Sequence, residues 1–404
     1  MASHSPSELR TTCCIAGGGP AGMMLGFLLA RAGIDVLVLE KHADFFRDFR
    51  GDTIHPSTFQ LMHELGILQA FLRLPHQEVS QLGALFNDRF LMIADFSRLP
   101  VAKPALGFMP QWDFLNFLQQ QATSYAGFHL LMETKAVDLI KENNRVIGVK
   151  ASSPEGEKEI YTSLVVAADG RDSVLRGKAG LNVKNFGAPI DVLWFKLPKL
   201  PTDPTQTFGY FQKGKLMVLL DRNTYWQCGY VIAKGAFDAI QAKGLPSFGE
   251  TLATMAPFLK DRVHELNDWK QVKLLTVRVD YLEKWYSDGF LCIGDAAHAM
   301  SPVAGVGINL AIQDAVAAAN LLYPALKEKK PIDVSLLKRI QKRRAFPTRM
   351  TQRLQLGIQN GIIKPQLSNK TQKPPFVYAA VQQMALAATH TCTANRIRNK
   401  TGAY

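Results

Sequence analysis

The sequence predicts an α/β fold: a parallel sheet of the nucleotide-binding kind, interleaved with a mainly antiparallel sheet and followed by C-terminal helices. Three observations predict it. Near the N-terminus, a short apolar strand, a glycine-rich turn, an apolar helix and a second apolar strand follow one another between Thr11 and Glu40. Far downstream, Gly289 to Asn309 sets an apolar run, a carboxylate, a proline and two glycines before an alanine-rich helix. Between the two, residues 191–281 change to strand-length apolar and aromatic runs separated by turns.

The first unit reads as βαβ. Thr11 to Ala16 is a buried strand, and Gly17-Gly18-Gly19-Pro20-Ala21-Gly22 fits G-x-G-x-x-G. Met23 to Ala32 is a helix closed by Gly33, and Ile34 to Leu39 is a strand ending at Glu40 and Lys41. The glycines permit a tight turn. The helix start offers unpaired N–H groups and a partial positive charge to a pyrophosphate. Glu40 stands where a carboxylate accepts hydrogen bonds from a ribose diol and disfavours a 2′-phosphate. The unit alone does not choose between NAD and FAD.

The late stretch makes that choice. Phe290 to Ile293 reads as a buried strand, and Asp295 lies just past its end, where ligands of open α/β sheets sit. Pro302 and Gly305-Val306-Gly307 precede a helix from Ile308 to about Leu322, with Asn309 in its first turn. A second half-site of this kind suits a cofactor that has a polyol chain and becomes an anion, as FAD does and NAD does not.

Between these landmarks, Arg47 to Pro56 is a polar loop in which Arg50 is a candidate for pyrophosphate or ring contact, or for a surface salt bridge. Ser57 reads as the N-cap of a helix over Thr58 to Leu65. His55 and His63 lack metal spacing and read as structural, and no metal site is expected. Gln111 precedes a helix over Phe114 to Tyr125. Phe128 to Leu131, Val137 to Ile140 and Val146 to Ala151 read as a small antiparallel sheet apart from the parallel one. Leu164 to Ala168 is a buried strand ending at Asp169-Gly170, where the acid is a second cofactor candidate or a helix cap. In the antiparallel region, Tyr210 and Trp226 are the candidates for substrate contact. Val334 to Arg344 is a basic amphipathic helix that Pro347 breaks or kinks. Thr348 to Gln359 continues it, an irregular stretch runs from Lys364 to Phe376, and a last helix spans Phe376 to His390.

At 404 residues, with 47% hydrophobic and 20% charged residues, the composition is that of a globular protein with two domains or subdomains. No apolar run approaches the ~20 residues of a membrane span, and Met1 to Arg10 lacks a signal-peptide core. The five cysteines, Cys13, Cys14, Cys228, Cys292 and Cys392, read as reduced thiols of a cytoplasmic protein. The net charge of +13 is concentrated in residues 331–404, which hold thirteen Lys/Arg against one acid, Asp333. That segment reads as a solvated face steering anions, or as a peripheral contact with an anionic membrane. No motif points to a specific nucleic acid.

Together, Gly17 to Gly22 with Glu40, Asp169-Gly170-Arg171-Asp172-Ser173 with Arg176, and Gly294-Asp295-Ala296-Ala297-His298 with Pro302, Gly305, Gly307 and Asn309 carry a family likeness. The chain resembles the single-component FAD-dependent aromatic hydroxylases, class A flavoprotein monooxygenases of the para-hydroxybenzoate hydroxylase fold, near the UbiH-like group. The resemblance implies a Rossmann-like FAD-binding domain over residues 1–73, 98–185 and 274–330. It implies a substrate domain over 74–97 and 186–273, while residues 331–404 read, from their charge, as a basic C-terminal helical segment. It places FAD pyrophosphate at Gly17, Gly19, Pro20, Ala21 and Gly22, the adenosine ribose at Glu40 and Lys41, and the ribityl and pyrophosphate portion at Asp295. Pro302, Gly305, Val306, Gly307 and Ile308 fall against the isoalloxazine, and Asn309 is counted among the cofactor contacts. Asp169 and Gly170 touch both FAD and a transient NADH or NADPH. Gln111 departs from the arginine of many relatives. The implied reaction uses NAD(P)H and O₂ to hydroxylate an aromatic, phenolic or polyketide-like molecule through a flavin C4a-hydroperoxide. No catalytic acid or base is named, and monomer and homodimer stay open. The alternatives are a non-oxygenating flavin reductase and a flavoprotein that binds an aromatic ligand or a membrane surface.

Overall fold

Cys13 to Ala16 and Val36 to Leu39 are wholly buried apolar runs, and such runs form strands covered on both faces. In the computed structural model, which describes residues 7–46, 53–86, 89–204, 208–212 and 214–368, they form the middle of an eight-stranded sheet. Ser7–Ala16 lies between Val36–Leu39 and Gly156–Ala167, parallel to both. Phe290–Cys292 extends the parallel set beyond Gly156–Ala167.

The runs after residue 128 divide differently from the expectation. Phe128–Leu131 pairs in parallel with Val36–Leu39 and belongs to the parallel sheet. Lys135–Glu142 and Arg145–Ser153 are antiparallel, but they join the same sheet through Gly156–Ala167. That strand is twelve residues long. One edge pairs with Ser7–Ala16 throughout, while the other pairs first with Arg145–Ser153 and then with Phe290–Cys292. Asn143 and Asn144, at φ 48° and 65°, make the left-handed hairpin turn that asparagine tolerates.

Gly22 is required by a close approach. A Cβ built there would stand 1.9 Å from the carbonyl oxygen of Gly17. The absent side chain lets the helix Pro20–Arg31 start directly on the end of the strand. Pro20 occupies the first helical position, where its fixed φ suits the helix and its missing N–H costs nothing. The same device explains a second difference. The next helix is Pro56–Glu64 with His55 at its N-cap, so Pro56 rather than Ser57 sets its start. The helix Gln111–Ala122 begins three residues before the expected start, directly after Pro110.

A second, seven-stranded sheet is built from Ile190–Pro198, Phe208–Gln212, Lys215–Asp221, Tyr225–Ala233 and Lys273–Leu275 together with Gln81–Phe86 and Arg89–Asp95. Its pleat sends alternate residues to opposite sides. Leu193, Phe195, Met217, Leu219, Trp226 and Tyr230 pack against Phe248, Leu252, Met255 and Leu259 of the following helices. Val192, Trp194, Phe211, Val218 and Val231 face the other way.

The helix Gly307–Lys327 is long and apolar enough to cross a bilayer, unlike anything expected from the sequence, yet it is mostly buried here. It packs between Pro20–Arg31 and a final long helix, Val334–Ile358. Pro347 lies inside that last helix without interrupting it. Its inner residues Leu337, Ile340, Arg344, Thr348, Gln352, Gln355 and Ile358 recur every three or four positions and are buried. The basic residues Lys338, Arg339, Arg349 and Arg353 lie on the exposed side.

The glycine turn supports a paired test. Gly22→Ala should destabilise the protein by about 2 kcal/mol or more through backbone overlap. Gly19→Ala, whose added Cβ meets nothing within 4 Å, should leave the thermal midpoint of the cofactor-free protein unchanged. Thermal unfolding of the two variants checks both.

Candidate active site

The glycine turn, the ends of the parallel strands and one face of the second sheet converge on a single cavity of about 630 Å³. At one end, Gly17, Gly18, Gly19, Pro20 and Ala21 line it, with Glu40, Lys41 and His42 beside them. Glu40 is buried, accepting from the Gly18 amide at 3.0 Å and the His42 amide at 3.1 Å. These bonds hold its carboxylate at the strand end.

Asp169, Gly170 and Arg171 supply the adjoining wall. One Asp169 oxygen accepts from the amides of Val174 and Leu175 at 3.0 and 3.3 Å, so the acid does cap the short helix Val174–Lys178. Its other oxygen, Oδ1, is buried without a hydrogen-bond partner. Burial pushes the carboxyl above its ordinary range, and the hydrogen bonds only partly offset this. Asp295 lines the cavity nearby and is met by Arg171 Nη2 at 3.4 Å. Gln111 is also on the wall.

The loop Pro302 to Ile308 closes the cavity beside the start of Gly307–Lys327. Ala304 is held at φ 64°, a left-handed conformation that a residue with a Cβ adopts at a cost. Two side chains pin this loop. His55 Nε2 donates to the Ala304 carbonyl at 3.0 Å. Asn309 Nδ2 donates to the carbonyls of Gly305 and Thr53 at 3.1 and 2.9 Å, while its Oδ1 accepts from the His55 amide and the Thr58 hydroxyl at 2.9 and 2.8 Å. Asn309 is therefore absent from the cavity wall and acts by joining two chain segments. Gly22 is likewise behind the wall rather than on it.

A carbonyl only accepts, so His55 Nε2 carries the hydrogen and Nδ1 is left as an acceptor. Burial lowers the His55 pKa to about 4, against a smaller opposing effect of the Ala304 carbonyl. The imidazole is neutral at ordinary pH. Sequence reasoning set His55 aside for want of metal spacing. The available signal was its place immediately before a proline-started helix, facing a polar loop.

The second sheet contributes Ile190, Val192, Trp194, Phe211, Leu216 and Val231, with Gly209 and Gly229 leaving room between them. Tyr210 and Trp226 are not among them. Both have the opposite pleat parity and lie in the core on the far face. The Trp226 indole donates to Asp203 at 2.8 Å, and Arg262 grips the same carboxylate at 2.7 and 2.8 Å. Phe211 and Trp194, of the other parity, reach the cavity instead, joined by Phe86 from Gln81–Phe86. Arg50 lies outside the described residues.

Behind the Asp295 turn, Asp314 is wholly buried. It accepts from the Gly294 amide at 3.0 Å, from His298 Nε2 at 2.5 Å and from Arg344 Nε at 2.7 Å. Burial alone would raise its pKa, but His298 and Arg344 outweigh it and hold the carboxyl below the usual range. This cluster fastens the turn to both long helices. Among the described residues no group of His, Cys, Asp and Glu could hold a metal. The thiols of Cys13, Cys14, Cys228 and Cys292 are free, buried and raised in pKa by that burial, while Cys392 lies outside the described residues.

Residues 10–354 match the family described as FAD binding domain. The chain is also 30% identical over 392 residues to the 6-methylpretetramide 4-monooxygenase of Streptomyces rimosus, covering 93% of this chain and 92% of that protein. The chain belongs to this family: it is a class A FAD-dependent monooxygenase. Two solved structures share the fold. One is pqsL of Pseudomonas aeruginosa, a probable FAD-dependent monooxygenase, at TM-score 0.75 and 19% identity over 92% of this chain and 99% of that one. The other is OxyS anhydrotetracycline hydroxylase of Streptomyces rimosus, at TM-score 0.72 and 20% identity over 95% of this chain and 75% of that one.

The residues present fit FAD. Two helix starts and the strand-end carboxylate of Glu40 face the same cavity. Asp169 Oδ1 is an orphaned acceptor, and space stands open where Gly19 would carry a Cβ.

Because the folded pKa of His55 is depressed below the ordinary value of 6.5, the unfolded chain binds the extra proton first. Its contribution to stability is complete above pH 6.5 and declines as the pH falls towards 4. Denaturant titrations across this window should show that decline, and His55→Gln should flatten it.

Proposed function

We propose that this monooxygenase transfers one oxygen atom from O₂ to a broad, weakly polar aromatic or polyketide-like ring, with NADH or NADPH supplying two electrons and the second oxygen leaving as water. The observation that carries the substrate class is the sheet face of the cavity. The side chains that the described residues of that sheet contribute to it carry no charge, and apart from the Trp194 indole they are apolar or absent. A wall without charge rewards shape and apolar area, at roughly 25 cal/mol per Å² removed from water. It offers no cationic partner to a carboxylate, so small aromatic acids gain little there. The name of the Streptomyces rimosus relative, which specifies 6-methylpretetramide, supports the same class.

FAD, when bound, supplies the oxygen-activating chemistry. The chain's own residues position it. The amides at the start of Pro20–Arg31 suit the pyrophosphate, and Glu40 suits the adenosine diol. Asp295 and Gln111 are the polar groups available to the ribityl chain. The start of Gly307–Lys327 places a helix N-terminus, with its partial positive charge, beside the loop Pro302 to Ile308, which favours an anionic ring there. His55 and Asn309 hold that loop in shape. The apolar sheet face excludes water, which protects a reactive oxygen donor from wasteful decay.

The test is turnover of FAD-loaded protein with NADH or NADPH and a set of phenols of one to four rings. The expected result is substrate-accelerated oxidation of the nicotinamide and a product heavier by one oxygen atom. Nicotinamide consumption that yields only hydrogen peroxide with every ring system, or a product reduced rather than oxygenated, would overturn the reading.

A further inference from the structure

The family match ends at residue 354, but the cavity wall does not. Just beyond, the helix Val334–Ile358 passes into a π-helical turn, Gln359–Ile363, and then a short helix, Lys364–Leu367. Ile358, Ile362 and Ile363 of this region all line the cavity. A regular α-helix would favour Ile358 and Ile362, four apart, over Ile363. The wider π turn, seen in the Lys364 amide donating to the Gln359 carbonyl five residues back, brings Ile363 to the same side.

The turn is clamped from two directions. Gln352, Gln355 and Gln359 are spaced three and four apart and are all buried. Gln355 Nε2 donates to the carbonyls of Ser301 and Val303, both at 2.9 Å, and its Oε1 accepts from the Ser301 amide at 3.2 Å. Gln359 Nε2 donates to the Ser301 hydroxyl at 2.6 Å. These bonds grip the Ser301–Val303 stretch, which itself lines the cavity. On the other side, Gln366 donates to the Gln212 carbonyl and its own carbonyl accepts from the Gly214 amide at 3.1 Å, which attaches the turn to the second sheet. The isoleucines complete an apolar cluster with Ile190, Val192, Leu216 and Val306.

We propose that Ile358, Ile362 and Ile363 are specificity-determining residues that set how large a fused ring system the cavity accepts. The wall is rigid because both its flanks are hydrogen-bonded, and it is selective because branched side chains have few rotamers. The ligand class it fits is an uncharged, polycyclic phenol or quinone whose ring edge carries no hydrogen-bonding group at this wall. The proposal rests on the function proposed above and adds the residues that measure substrate size.

The experiment uses the full-length FAD-loaded enzyme and four probes: phenol, 1-naphthol, a monohydroxyanthraquinone and a monohydroxynaphthacenequinone. Affinity is read from quenching of tryptophan fluorescence, since Trp194 lies on the cavity, and turnover is read separately. Ile362→Trp should weaken binding of the three- and four-ring probes tenfold or more while changing phenol less than twofold. Ile362→Ala should raise the preference for the four-ring over the two-ring probe at least threefold, with flavin absorbance and content unchanged. Equal shifts for all four probes in both variants would sink the proposal while leaving the oxygenase reading intact. Wild-type enzyme that binds the probes but oxygenates none would sink the oxygenase reading while the binding ratios still judge the wall. Should the tryptophan variant not hold FAD, Ile363→Val applies the same ratio in the direction of the alanine variant, and no change in that ratio counts against the proposal.

Discussion

The architecture turns on one buried amide. Asn309 stands at the start of a core helix, yet every polar atom of its side chain is bonded to protein, and its partners Thr53, His55 and Thr58 lie some 250 positions earlier. A buried amide of this kind is costly to leave unsatisfied, at about 1–3 kcal/mol for each lost partner. The two segments therefore have one low-energy arrangement, and that arrangement places the loop before the helix. The strain at Ala304 persists because His55 holds its carbonyl and Asn309 holds the carbonyl of Gly305.

The second constraint is the pleat. One sheet serves two environments because successive side chains alternate between them. Gly209, Phe211, Gly229 and Val231 reach the cavity, while Tyr210, Trp226, Cys228, Tyr230 and Ile232, of the opposite parity, pack in the core. A slip of one residue would exchange the two sets and place Tyr210 and Trp226 in the cavity. The Asp203 carboxylate, shared by the Trp226 indole and the Arg262 guanidinium, resists such a slip. Gln81–Phe86 joins the same sheet beside Phe208–Gln212, so the cavity face includes residues from both sides of the parallel-sheet core in sequence.

Polar and apolar work are kept apart. The acids Glu40, Asp169 and Asp295 and both helix starts gather where a charged cofactor belongs, and the sheet face and the isoleucines gather where water must be excluded. The excess of basic residues contributes little inside. On Val334–Ile358 most of them are solvated, while Arg344 is drawn in to balance Asp314 and Arg349 lies over the Tyr281 ring at 4.7 Å. That helix is part of the core, and its far end reaches the cavity. Its positive charge is thus the outer face of a structural element.

Sequence alone determined the glycine turn, Glu40, Asp169 and the Asp295-to-Ile308 loop, because each depends on local backbone geometry and short spacing. It also determined the strand-rich character of residues 191–281, because apolar alternation is local. It did not determine which parity of those strands faces the cavity, since both sets are apolar and only the packing of Phe248, Leu252 and Leu259 on one side distinguishes them. Nor could it place Phe128–Leu131 in the parallel sheet, because pairing with Val36–Leu39 is a relation across ninety positions. His55, Asn309 and the isoleucines beyond residue 354 acquired their roles from tertiary structure for the same reason. Each is defined by a partner distant in the chain, and no local pattern records the distance that folding removes.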